Sequence, residues 1–132
     1  MTVLDEPAAT PIDDESADAW VDVCAFDALV RDRGVAALVG GDAVAVFRCS
    51  PDDAVYAIAD IDPFSGASVL SRGIVGSAGD RTTVASPIHR QRFDLATGAA
   101  IDTSLVRVAT WVARVRGGRV QVACDPRLPS AG

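Results

Sequence analysis

Asp60, Asp62 and His89 are the side chains of this sequence best suited to metal chemistry, because two carboxylates and an imidazole make a plausible mononuclear site. They lie in two polar stretches, ADIDPFSGASVL (59–70) and ASPIHRQRFDLATG (85–98). The same residues suit turns equally well: Asp60-Ile61-Asp62-Pro63 is a natural turn start, in which Asp side chains accept hydrogen bonds from nearby backbone amides. No Ser-His-Asp or Cys-His spacing surrounds His89, the single histidine, so it carries no expected role in nucleophilic catalysis. Cys24, Cys49 and Cys124 are odd in number, widely spaced and without a CxxC or CxH pairing. Each ends an apolar stretch and reads as a small buried hydrophobe in a reducing compartment. GIVGSAG (73–79) is glycine-rich but lacks the strand-then-helix setting of a nucleotide loop, and reads as a flexible connection.

The elements that must position these residues belong to one domain, since 132 residues with 49% hydrophobic content build one core and not two. Residues 1–18 hold two prolines and six acids with no hydrophobic period, which predicts a disordered acidic leader; the domain is expected over 19–125 and a C-terminal tail over 126–132. The leader accounts for the whole net charge of −6, leaving twelve acids and twelve arginines balanced in residues 20–132. That neutrality argues against a nucleic-acid partner. The longest apolar run, GVAALVGGDAVAVF, is interrupted well short of the roughly 18 residues a membrane helix needs. The N-terminus shows no basic segment followed by an apolar one, so the expected location is cytoplasmic, with no membrane partner.

Short strands dominate the pattern. AWVDVCAF alternates as a first strand, DALVRDRG suggests a single helical turn, and VAALV-GGD-AVAVFR is a hairpin by its turn chemistry. SPDD is a second turn and AVYAIA the strand after it. From Asp60 to Thr82 glycine, serine, aspartate and proline dominate, which predicts a long functional loop. TTVASPI and RFDLATGAAI return to strands, and VATWVARV-RGG-RVQVAC is a second hairpin. An all-β antiparallel sandwich or small barrel follows. Trp20, Trp111, Phe26, Phe47, Phe93, Val46 and Leu95 are its expected core.

The two polar stretches resemble the two ligand loops of a Rieske domain, in which two Cys and two His hold a [2Fe–2S] cluster. On that likeness Asp60 and Ser86 stand at the cysteine positions, Asp62 and His89 at the histidine positions. Only His89 keeps a ligand type, and carboxylate or hydroxyl oxygens cannot replace thiolates around sulfide-bridged iron. DIDPFSGASVLSRGIVG in the first loop and SPIHRQRFDLATG in the second, with VAVFR upstream, resemble the small subunit of the assimilatory NAD(P)H-dependent nitrite reductase. The resemblance spans about Trp20 to Ala123. It implies a Rieske-like fold with a loop-rich former cluster-binding region. It also implies a non-catalytic chain without cofactors, partnered by a large subunit that carries FAD, an iron–sulfur cluster and sirohaem and reduces nitrite to ammonium.

The same likeness would bring Asp60, Asp62 and His89 together at the loop tips, so an alternative is a stand-alone protein that binds a mononuclear metal or acts as a binding module. An electron-transfer ferredoxin is nearly excluded by the missing cysteines. Arg72, Arg90 and Arg92 flank the loops as a candidate positive patch for an anion or an acidic partner surface. Phe64, an aromatic on a polar loop, is the candidate apolar anchor of a partner interface.

Overall fold

The computed structural model describes residues 19–103 and 105–127. The predicted leader (1–18) and most of the predicted tail (128–132) lie outside the described residues. Ten strands run in the order β1 (Trp20–Ala25), β2 (Arg33–Val39), β3 (Asp42–Cys49), β4 (Ala54–Ala59), β5 (Ile74–Ala78), β6 (Arg81–Ala85), β7 (Arg92–Asp94), β8 (Thr110–Trp111), β9 (Ala113–Arg116) and β10 (Arg119–Ala123). Two single 3-10 turns, Phe26–Ala28 and Leu70–Arg72, interrupt them. The strands form three antiparallel sheets, ordered β1-β10-β9, β2-β3-β4-β8 and β5-β6-β7.

β3 explains the layering. Its sequence DAVAVFRC is nearly continuous in apolar residues, the mark of a strand buried on both faces. Ala45, Phe47 and Cys49 point into one core with Ile58, Leu70, Val84, Phe93 and Leu95. Val44 and Val46 point the other way, into a second core with Leu29, Val39, Trp111, Val120 and Val122. The four-stranded sheet therefore sits between the other two. Gly40 and Gly41, at φ 59° and 88°, make the two-residue turn between β2 and β3 that the Gly-Gly pair predicts.

Several expectations are corrected. Residues 60–82 are not one long loop: they contain the 3-10 turn, β5 and the start of β6, with GIVGSAG forming β5 and part of its tight turn. β5 escapes a pattern search because it is an edge strand with no buried residue, so no alternation is imposed on it. VATWVARV is two strands. Thr110 and Trp111 pair with β4, whereas Ala113–Arg116 pair with β10, so the chain changes sheets at Val112. The fold also extends past residue 125, because the Arg127 amide donates to the Thr110 carbonyl at 2.6 Å. Trp20 and Phe26 are half-buried lids instead of core residues, with Arg114 stacked 3.6 Å from the Trp20 ring centroid and Arg48 4.1 Å from that of Phe26. Phe47, Phe93, Val46, Leu95 and Trp111 are buried as expected.

The Phe93-Asp94 and Thr97-Gly98 pairs of the second stretch close a tight turn after β7. Asp94 Oδ1 accepts from the Ala96 amide at 2.8 Å, and the Gly98 amide donates to the Asp94 carbonyl at 2.7 Å. Gly98 has φ +79°, and a Cβ there would lie 2.1 Å from the Val108 carbonyl oxygen. No other residue fits both conditions.

Candidate functional site

Loop one leaves β4 at Asp60 and returns through the Leu70–Arg72 turn; loop two spans residues 86–91 between β6 and β7. Asp60 is 2% exposed and organises the base of loop one. Its Oδ2 accepts from Ser68 Oγ and its Oδ1 from the Ser71 amide, both at 2.6 Å. Its carbonyl takes the Val69 and Leu70 amides at 3.0 and 2.9 Å. Both carboxylate oxygens thus face donors, as the turn reading of this segment requires.

Asp62, fully buried, does the same for the loop apex and then reaches across to loop two. Its Oδ1 accepts from the Phe64 amide at 2.8 Å, and its carbonyl from the Gly66 amide at 2.7 Å. Its Oδ2 accepts a 2.5 Å hydrogen bond from Ser86 Oγ, 24 residues along the chain. Ser86 is 1% exposed, and its Oγ in turn accepts from the Ile88 amide at 3.2 Å. The Ser86 carbonyl and amide close loop two against Arg90 and Gln91, each at 2.9 Å. Asp62 and Ser86, one from each of the two loops, are therefore bonded directly to each other.

His89 stands apart, exposed at the apex of loop two, with no side-chain hydrogen bond among the described residues. Among those residues no three His, Cys, Asp or Glu side chains come together in a way that could hold a metal ion. Asp60, Asp62 and His89, the alternative metal set, therefore form no such group there. The side chains that the Rieske likeness puts at ligand positions do not fit a [2Fe–2S] cluster: Asp60, Asp62 and Ser86 offer hard oxygen donors already engaged with hydroxyls and amides. Cys49 lies buried at the opposite end of β3, paired with Ala54, where burial pushes its thiol up to about 12.

The exposed surface of the loops carries apolar side chains besides the expected Phe64. Phe64 is 39% exposed and leans on buried Phe93, ring centroids 6.1 Å apart. Ile61 and Ile88 are each 47% exposed, flanked by exposed Pro63 and Pro87. Ile61 and Ile88 escaped the sequence reading, although each is an isolated large apolar residue in a polar loop, the same signal that marks Phe64. Arg90 is exposed at φ +59°. Arg92 is not free: it pairs with Asp102 at 3.0 Å. Arg72 lines, with Arg33, a cleft of about 510 Å³ between β2 and β5.

Comparison with known proteins agrees with this geometry. Residues 19–123 match the family model of the Rieske-like [2Fe-2S] domain. The nitrite reductase (NADH) small subunit of Escherichia coli K12 is 42% identical over 103 residues, covering 78% of this chain and 95% of that protein. The NMR structure of the E. coli protein NirD superposes with a TM-score of 0.73 at 41% identity, over 79% of this chain and 94% of that one. A nitrite reductase [NAD(P)H] large subunit from Klebsiella oxytoca is 37% identical over 112 residues, which are 85% of this chain but 12% of that protein. No helix among the described residues is long and apolar enough to cross a membrane. With its antiparallel β architecture and these relatives, the chain belongs to the family of NAD(P)H nitrite reductase small subunits, built on a Rieske-like domain.

Proposed function

We propose that this chain is a subunit without a redox centre of its own, which docks on the large subunit of a cytoplasmic nitrite reductase through its two former ligand loops and supports it there. The large subunit supplies FAD, sirohaem and an iron–sulfur cluster and reduces nitrite to ammonium; the small chain contributes surface and not chemistry. The observation that carries this reading is the pairing of an internally bonded loop base with an exposed apolar tip. Asp60, Asp62 and Ser86 are consumed in hydrogen bonds, while Ile61, Phe64 and Ile88 present apolar area to solvent. Buried polar groups bonded among themselves are unavailable to a substrate, and clustered exposed apolar side chains between polar neighbours mark a protein contact. The match to a segment of a large-subunit chain supports it further, since one protein there holds both parts.

The alternative of a mononuclear metal site at Asp60, Asp62 and His89 would require both carboxylates to give up their present donors. One experiment separates the two. The purified chain is expected to be colourless, to contain no stoichiometric metal, and to co-elute with a flavin- and sirohaem-containing chain when the two are mixed. Iron–sulfur bands in the isolated chain would overturn the reading, and one tightly held colourless metal per chain would favour the alternative.

A further inference from the structure

Two of the exposed apolar residues of the tip, Phe64 and Ile88, belong to different loops, yet their backbone amides end the same chain of hydrogen bonds. The Phe64 amide donates to Asp62 Oδ1 at 2.8 Å, Ser86 Oγ donates to Asp62 Oδ2 at 2.5 Å, and the Ile88 amide donates to Ser86 Oγ at 3.2 Å. Asp62 and Ser86 are 0% and 1% exposed, so this relay runs beneath the surface while the two side chains it holds are above it. We propose that Asp62 and Ser86 are positioning residues that lock the two loops together in place of a bridging cluster, and so fix Phe64 and Ile88 as one preformed docking surface. The inference rests on the docking function proposed above and names what sets the geometry of that surface.

Loop one leaves β4 of the four-stranded sheet and runs into β5, whereas loop two joins β6 to β7, so the loops meet the β5-β6-β7 sheet at their bases while their tips at Asp62 and Ser86 belong to separate connections. In a Rieske domain the four metal bonds would tie the loops; here the Asp62–Ser86 bond takes over that tie between two of the same positions. A surface made of two independently moving loops must be ordered when a partner binds, and each immobilised segment weakens the association; a surface already tied avoids that loss. The relay is also a closed unit. Ser86 Oγ uses its single proton toward Asp62 and a lone pair toward Ile88, so neither loop can open its end without disturbing the other.

Amide hydrogen exchange followed by NMR tests this in the native protein. The Phe64 and Ile88 amides are expected to show protection factors within about threefold of each other, because one opening event exposes both. Ser86→Ala, which removes the central hydroxyl, is expected to speed exchange at both amides by about tenfold or more while the Val46 amide in β3 stays slow. Asp62→Asn keeps an acceptor for the Phe64 amide and gains a donor toward Ser86 Oγ, so it should hold both rates near those of the native chain. Binding to the large subunit should weaken about tenfold in Ser86→Ala and little in Asp62→Asn. Native protection factors that differ by orders of magnitude would overturn the inference without any variant. So would Ser86→Ala accelerating Ile88 alone, or leaving affinity intact while Phe64→Asp lowers it. If Phe64→Asp also left affinity intact, the docking function itself would fail, and the positioning role with it.

Discussion

Phe64 divides its ring between two environments, and the balance sets what its replacement should do. The contact with Phe93 is worth roughly 0.5–1.5 kcal/mol beyond area burial, while the outer part of the ring faces solvent. Phe64→Asp is therefore expected to leave the protein folded, with a small loss in thermal midpoint, and to lower nitrite reduction by the reconstituted subunit pair. Unchanged activity in a folded variant would remove loop one from the interface. His89→Ala is expected to change neither the melting temperature nor the activity by more than the error of the assay, because the imidazole is exposed and has no hydrogen-bond partner among the described residues. Cys49 should resist thiol reagents in the native protein and react once it is unfolded, since its burial holds the thiol protonated at any ordinary assay pH. Mass spectrometry of protein alkylated at pH 8, with and without denaturant, reads this out.

Turns and strand ends carry the next level of predictions. Asp53, in the turn from β3 to β4, accepts from Arg31 Nε at 2.6 Å and Arg48 Nε at 3.1 Å. The Arg31 hydrogen bond first, then that of Arg48, holds its carboxyl far below the usual carboxylate range. A depressed folded-state value means that the stabilisation is complete above the unfolded value of about 3.9 and is lost as pH falls below it. Denaturant titrations should therefore show Asp53→Asn less stable than the native chain at pH 7, with the gap closing below about pH 4. A gap that is constant from pH 7 to 3 would show that the carboxylate charge is not what matters. Gly98 in the turn after β7 is the position least tolerant of a side chain. Gly98→Ala brings a positive φ and a collision with the Val108 carbonyl together, and is expected to cost roughly 2–4 kcal/mol by chemical denaturation. At this scale the sequence is legible where a strand is buried or a turn has strict chemistry. β3 with its Gly40-Gly41 turn and the β9–β10 hairpin at Gly117-Gly118 follow from pattern alone. β5 and the break at Val112 do not, because an exposed edge strand imposes no alternation and a change of sheet leaves the run of apolar residues intact.

For the molecule as a whole, the arrangement of three sheets leaves the two loops together at one end, with an apolar outer face above a polar base. Association through such a face should bury apolar area, and titration calorimetry at several temperatures should give a negative heat-capacity change. The balanced charge of residues 20–132 predicts that moderate salt changes the affinity only slightly. A steep fall in affinity between low and high salt would instead point to Arg90 and the arginines of the cleft as the contact.

By itself the sequence determined the all-β class of fold and the family likeness, from which the reading of Asp60, Asp62, Ser86 and His89 as former ligand positions follows. Those conclusions depend on residue type, local spacing and turn preference, which are properties of neighbours along the chain. It could not determine what replaced the cluster. The bond between Asp62 and Ser86 joins residues 24 positions apart on two separate loops, and whether a carboxylate there meets a hydroxyl, a metal or water is settled by packing. Only the tertiary structure joined Asp62 to Ser86 by a hydrogen bond, kept Asp60 bonded within its own loop, left His89 outside that tie, and left Ile61, Phe64 and Ile88 exposed at the surface.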